Sequence, residues 1–221
     1  MTPAVEARGL YRFFHAGDEE TLALKGVSLQ VGPGELVAIV GPSGSGKSTL
    51  LACLAGLDEP DGGTVWVVGE RLSHRPEAER AAARARRIGL LFQSGNLLEH
   101  LTVEQNITLA QRVAGRPAAA AGLLEAVALA GRARAWPAAL SGGEAARAGL
   151  AVALANDPAI VLADEPTGEL DAANEQRVLA LLTERADAGG AVVVVSHSPA
   201  VAAVADRTIR LHDGSVLDDR A

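Results

Sequence analysis

The stretch Gly41-Pro42-Ser43-Gly44-Ser45-Gly46-Lys47-Ser48-Thr49 constrains the fold more than any other. An apolar run over 35–40 leads into it, and a helical pattern over 47–55 leaves it. Strand, glycine-rich turn and helix in that order is the context in which GxxxxGK[ST] builds a phosphate cradle. Glycines let successive N–H groups point inward at an anion, because no Cβ blocks the φ/ψ angles required. The helix start adds unpaired N–H donors and about half a unit of positive charge. Lys47 then offers an ammonium to the β- and γ-phosphates, and the Ser48 hydroxyl a ligand to Mg2+. The chain has two lysines, Lys25 and Lys47, against eighteen arginines. A lysine at 47 therefore marks a place that needs a point charge rather than a planar fork. The spacing predicts a nucleoside triphosphate site.

A second feature lies far along the chain. Residues 159–163 read as a strand that is apolar on both faces and delivers Asp164-Glu165 at its C-terminal end. Open α/β sheets place ligand chemistry at that end. Asp164 suits the Mg2+ shell, through water, and Glu165 suits a general base that orients an attacking water. Taken alone, the pair also reads as a cap ahead of Pro166; beside a phosphate cradle the catalytic reading is preferred.

The surrounding pattern is α/β. Strands are predicted at 26–31, 35–40, 64–68, 88–92, 159–163 and 191–196, and helices at 47–55, 77–87, 103–113, 117–130, 143–155, 172–188 and 199–205. The strands over 160–162 and 192–195 are apolar throughout, which places them centrally in a parallel sheet. Asp213-Gly214 predicts a turn in a terminal hairpin. Residues 94–155 hold helices and no convincing strand, so they are expected as a helical subdomain inserted into a core of 1–93 and 156–221. With 221 residues, 48% hydrophobic and 21% charged, a disordered chain is excluded. A net charge of −7 gives no basic footprint for nucleic acid. Cys53 is the single cysteine, which excludes a disulfide framework and a thiolate cluster. No apolar run reaches the roughly 18 residues of a membrane span. Glu6 and Arg8 stand where a signal peptide would be apolar, so the expectation is a cytosolic protein.

Leu140-Ser141-Gly142-Gly143-Glu144 adds a second glycine turn opening a helix, a second nose for an anion. Neither lysine lies in the Asn-Lys-x-Asp of GTPases. At these residues the sequence resembles the ABC ATPases, whose signature is LSGGQ or LSGGE, and the resemblance covers nearly the whole chain. Ala163-Asp164-Glu165-Pro166-Thr167-Gly168 followed by Leu170-Asp171 looks most like the group serving lipoprotein release, macrolide-type export and cell-division permeases. The resemblance implies a P-loop NTPase (RecA-like) α/β core with an N-terminal antiparallel β part and an inserted α-helical subdomain. It implies that Phe14 stacks on adenine, with Tyr11 and Phe13 as rivals. Gln93 would sense Mg2+ and water and hinge the helical subdomain. His197 would touch the γ-phosphate. Ser141, Gly142, Gly143 and Glu144 of one chain would clamp the ATP held by Gly41 through Thr49 of another.

ATP and Mg2+ are thus the implied cofactors. A homodimer under an integral membrane permease, on the inner face of the cell membrane, is the implied assembly, with no nucleic acid. A regulatory ATPase that moves no substrate, and a mechanochemical ATPase of DNA repair or translation, are the alternatives. Several residues depart from the family pattern. Ala145 and Ala146 stand where two glutamines are usual, and Val152 where arginine is. Ser198 replaces an aspartate after the histidine, which is expected to remove a charge near the reaction centre. Glu169 stands where Asn, Ala or Ser is usual; it either weakens a closed dimer by adding a carboxylate near two triphosphates or merely faces solvent. Arg80, Arg84, Arg86 and Arg87 read as a solvated helix face, or less simply as a contact for anionic lipid. Leu97-Leu98-Glu99-His100-Leu101-Thr102 is expected to combine core leucines with a surface for a membrane partner.

Overall fold

The structure, a computed structural model, describes residues 2–16 and 19–220. In chain order the elements are β1 (Val5–Ala16), β2 (Glu19–Val31), β3 (Leu36–Val40), α1 (Lys47–Leu54), β4 (Gly62–Val67), β5 (Glu70–Arg71), α2 (Glu77–Arg87), β6 (Ile88–Leu91) and α3 (Val103–Val113). They continue with α4 (Ala120–Ala126), α5 (Gly142–Leu154), β7 (Ile160–Asp164), α6 (Ala172–Asp187), β8 (Ala191–Val195), α7 (Pro199–Val204), β9 (Arg207–His212) and β10 (Ser215–Arg220). Short 3-10 turns at Ala130–Arg132 and Pro137–Ala139 lead to α5.

Two sheets share one core. The antiparallel sheet runs β2-β1-β4-β5, and the second runs β10-β9-β3-β8-β7-β6, parallel from β9 to β6. Alternation along β3 decides what lies on each side. Val37 and Ile39 face α1 and the antiparallel sheet, with Leu50 and Leu54 fully buried between. Leu36 and Ala38 face the opposite layer with Leu150, Val178 and Leu182 of α5 and α6. Burying each of the two α1 leucines contributes about 2 kcal/mol, so the helix that opens at Lys47 is clamped from both sides. A third cluster, Val103, Ile107, Leu124, Val127, Ala148 and Ala151, holds the helical segment together. Its entry is fixed by a capping box at α3, in which Thr102 accepts from the Gln105 N–H and Gln105 accepts from that of Thr102.

Several expectations are corrected. A strand begins at Val5, where none was placed, and β2 begins at Glu19 rather than at 26. Register shifts between Ala7 and Leu10, Leu10 and Tyr11, and Arg12 and Phe13 break the two-residue alternation by which strands are recognised. The pattern over 117–130 yields only Ala120–Ala126 as helix. Its alanines favour a helix but bury too little apolar surface to extend one. On α2 the arginines are engaged: Arg80 pairs with Glu59 and Glu77, Arg84 with Glu77, and Arg87 with Glu70. These three are committed within the chain rather than presented to a lipid surface. No helix among the described residues is long and apolar enough to cross a membrane.

In β6, Gly89 lies so close to α5 that an added Cβ would run into the Ala153 carbonyl. Gly89→Ala is expected to cost about 1–3 kcal/mol through overpacking. A urea midpoint equal to the parent's would show that this contact is loose.

Candidate nucleotide site

The loop after β3 is shaped by three glycines with positive φ, Gly41, Gly44 and Gly46. At Gly46 a Cβ would strike the Ala23 carbonyl, so the turn admits no other residue. Gly46 leads directly into α1, whose first residues line a cavity of about 890 Å³. Ser43, Gly44, Gly46, Lys47, Ser48 and Thr49 line it. Gly41 and Pro42 act from behind, their carbonyls accepting from Lys47 Nζ at 3.0 and 2.9 Å. Lys47 is 7% exposed, and burial lowers its pKa against the opposing pull of Glu165 and Asp164. Ser45 is buried with no partner for its hydroxyl, while its carbonyl ties the loop to Gly214 at 3.1 Å.

The acidic pair faces this cradle from β7. Burial raises the pKa of Asp164, and a hydrogen bond from Ser48 and the charge of Lys47 oppose the shift. Glu165 has a φ of 46°, a left-handed conformation that is strained for a residue with a Cβ. Its N–H is fixed on the Val195 carbonyl at 2.9 Å, and its Oε2 accepts from Ser196 Oγ at 3.0 Å and the His197 N–H at 3.3 Å. His197 Nε2 lies 3.6 Å from the other carboxylate oxygen. The end of β8 thus holds the Glu165 side chain in place, and both Glu165 and His197 line the cavity.

Of the three N-terminal aromatics, Phe14 lines the cavity, 42% exposed. The Arg12 guanidinium lies 4.7 Å from the ring centroid and is itself held by Asp58 and Asp61. Tyr11 packs instead on Gly26 and Gly62. Gln93 reaches the cavity rim, where its Nε2 donates to Glu169 Oε1 at 3.2 Å. The carboxylate of Glu169 is therefore engaged with Gln93.

Ser141, Gly142, Gly143 and Glu144 are not brought to this cavity. They start α5, where Ser141 Oγ accepts from the Glu144 N–H at 3.3 Å and Glu144 accepts from that of Ser141 at 2.9 Å. Glu144 also pairs with Arg132, which with the Ser141 bond holds its carboxyl below the ordinary range. Gly142 has open space above it, whereas a Cβ at Gly143 would run into Asn174. Asn174 accepts from Arg147 at 2.8 Å and donates to Asp171 at 2.9 Å, so α5 is tied to the start of α6. Sequence reasoning missed Arg12, Thr167, Asn174, Glu175 and Ser196. Thr167 stands in the motif quoted around Glu165, Ser196 precedes His197, and Glu175 is acidic in the first turn of a helix that begins beside the site.

The fold and this cradle define a phosphate-loop nucleotide hydrolase. The ABC transporter family model matches residues 24–168. The macrolide export ATP-binding/permease protein MacB of Shigella flexneri is 43% identical over 98% of this chain and 34% of its own length. MacB of Escherichia coli K12 is 42% identical over the same shares. Among solved structures, the dimeric post-hydrolysis state of the ATP-binding cassette MJ0796, bound to ADP and Pi, superposes with a TM-score of 0.91 at 36% identity, covering 98% of this chain and 97% of that one. The chain belongs to the ABC transporter family, as an ATP-binding and ATP-hydrolysing domain. It spans about a third of the length of the MacB relatives.

A divalent cation fits the acidic end. Asp164 Oδ1 is buried without a hydrogen-bond partner among the described residues, and the Ser48 hydroxyl sits beside the same carboxylate. An unpartnered hard oxygen and a hydroxyl are donors that Mg2+ takes together with phosphate and water. A carboxyl whose pKa is higher folded than unfolded carries a destabilising charge at pH values above the folded pKa. At neutral pH Asp164→Asn is therefore expected to raise the thermal midpoint of the chain without nucleotide, while Mg2+-dependent ATP turnover falls about a hundredfold or more. A lowered midpoint would show that the charge is already satisfied within the chain.

Proposed function

We propose that two copies of this chain enclose ATP between them, each supplying the phosphate cradle of one site and the Ser141–Gly143 helix start of the other. The observation that carries this reading is the separation within one chain: the α5 start lies outside the cavity that Lys47, Glu165 and His197 line. MJ0796, similar over nearly its whole length, is described as a dimer with ADP and Pi, which supports the same arrangement here. Both protomers are acidic, so their closure depends on the nucleotide and its cation between them.

In this reading Phe14 carries the adenine on a ring stiffened from behind by Arg12. Lys47 and the loop N–H groups bind the phosphates. Ser48 and Asp164, with Gln93 at the rim, would hold Mg2+, which supplies charge neutralisation on the phosphates. Glu165 accepts the proton of the attacking water, and His197 donates a hydrogen bond to the γ-phosphate. Loss of that phosphate after hydrolysis removes the link between the copies and reopens them.

The coupling surface is assigned to a groove of about 300 Å³ between α3, β6 and α5, lined by Leu98, Leu109, Val113 and Val152. Leu98, Leu109 and Val113 are exposed. Buried Asn106 fixes the adjoining turn by hydrogen bonds to Leu98, Leu101 and Thr102. A membrane permease seated there places the chain on the inner face of the cell membrane, and the similarity to MacB favours an export or extraction type of transporter.

Turnover per chain should rise with protein concentration until dimers saturate. Lys47→Ala is expected to abolish nucleotide binding, whereas Glu165→Gln should bind ATP, persist as a dimer and hydrolyse about a thousandfold more slowly. Sedimentation with and without ATP, beside phosphate release, separates these outcomes. Concentration-independent turnover by a monomer would overturn the two-copy site. Glu169→Asn frees Gln93 and removes one carboxylate, and should shift ATP-driven dimerisation to lower protein concentration. An unchanged midpoint would show that Glu169 does not oppose closure.

A further inference from the structure

We propose that Glu175 is a positioning residue for ATP hydrolysis, which ties together the two loops that frame Glu165. Its carboxylate lines the same cavity from the first turn of α6. Oε1 accepts from Thr167 Oγ1 at 3.1 Å and from Ser198 Oγ at 2.7 Å. Thr167 belongs to the segment that leaves Glu165, and Ser198 to the segment that leaves β8. One oxygen on a clamped helix therefore fixes both.

The connection to the reacting end is continuous. The Ser198 hydroxyl gives its one proton to Glu175 and accepts from the Ala200 N–H at 3.2 Å, which caps α7. The Ser198 N–H donates to Ser196 Oγ at 3.0 Å, and Ser196 Oγ, with its proton directed by that bond, donates to Glu165 Oε2 at 3.0 Å. Without Glu175 the Ser198 hydroxyl loses its acceptor and Thr167 loses its tie. The loop carrying Ser196 and His197 is then held by fewer bonds where Glu165 needs a fixed orientation. Displacements of about 1 Å at such a group cost up to a hundredfold in rate. The bonds of Glu175 run to Thr167 and Ser198 rather than to the phosphate cradle or Phe14, so its loss is expected to fall more on kcat than on nucleotide affinity.

The proposal rests on Glu165 as the base, and the test separates the two. Glu175→Ala is expected to lower kcat about tenfold or more with KM for ATP within about twofold. Amide exchange at Ser198, measured without nucleotide, should accelerate in the same variant. Glu175→Gln keeps an oxygen for both hydroxyls and is expected to recover most of the lost rate and exchange protection. That recovery distinguishes the tie from the negative charge that Glu175 places at the helix start. Ser198→Ala, which breaks the chain of bonds from its other end, is expected to lower kcat likewise. Parental kcat in Glu175→Ala overturns the proposal. So does a kcat loss with unchanged Ser198 exchange, or one that Glu175→Gln fails to recover. Parental turnover in Glu165→Gln would instead move the base elsewhere, while the exchange result would still report on the tie.

Discussion

The rest of the molecule depends on a set of charges that the chain assembles but does not satisfy. Lys47 is buried, and its ammonium donates to the carbonyls of its own loop. Asp164, beside Ser48 at the end of β7, is likewise disfavoured as an anion by burial. Each group is penalised by loss of water, and neither touches the other closely enough to compensate fully. In the proposed reading a triphosphate with its cation would complete both sides at once, giving the ammonium its anion and the carboxylate its cation. The sheet order is what makes this possible, since β8 lies between β3 and β7. The strand ends therefore present Lys47's loop, then Ser196-His197, then Asp164-Glu165, side by side along one edge. Segments separated by more than a hundred residues meet because parallel strands end at the same level.

In the two-copy reading that edge is half of the site. The α5 start is fixed at a distance, and its position is not free. Gly143 packs directly on Asn174, which also binds Arg147 of α5 and Asp171 at the head of α6. The segment that ends at Asp171 is thereby tied to α5, the helix whose start the two-copy reading turns toward a second chain. Gln93, bound to Glu169 in the same segment, adds a second connection, from the helical segment to the edge of the cavity.

Motifs whose chemistry depends on neighbours in sequence were legible before the structure. The glycine loop, the strand carrying Asp164-Glu165 and the Asp213-Gly214 turn each fall where residue order places them, because strand, turn and helix are local consequences of φ/ψ and burial. The antiparallel sheet was less visible. β1 owes its place to pairing on both sides, with Val31 and Val67 opposite Val5. Its three register shifts erase the alternation that would have announced it. Pairing along a bulged strand is a tertiary property, and no window of ten residues contains it. The same holds for Arg12, whose stacking beneath Phe14 requires Asp58 and Asp61 from beyond α1.

Ser198 shows the limit most clearly. Taken as one position, a serine after His197 removes a carboxylate from the vicinity of the γ-phosphate. In three dimensions its hydroxyl meets the Glu175 carboxylate, which reaches the same space from α6. The negative charge has been relocated rather than lost, and it gains two hydrogen bonds that also hold Thr167. Position 175 precedes 198 by more than twenty residues and lies on a different element, so nothing in local order connects them. What matters chemically is where an oxygen sits relative to Ser196 and Glu165, and several backbone positions can supply it. A departure from a motif should accordingly be weighed only after asking which other side chain can reach the vacated role.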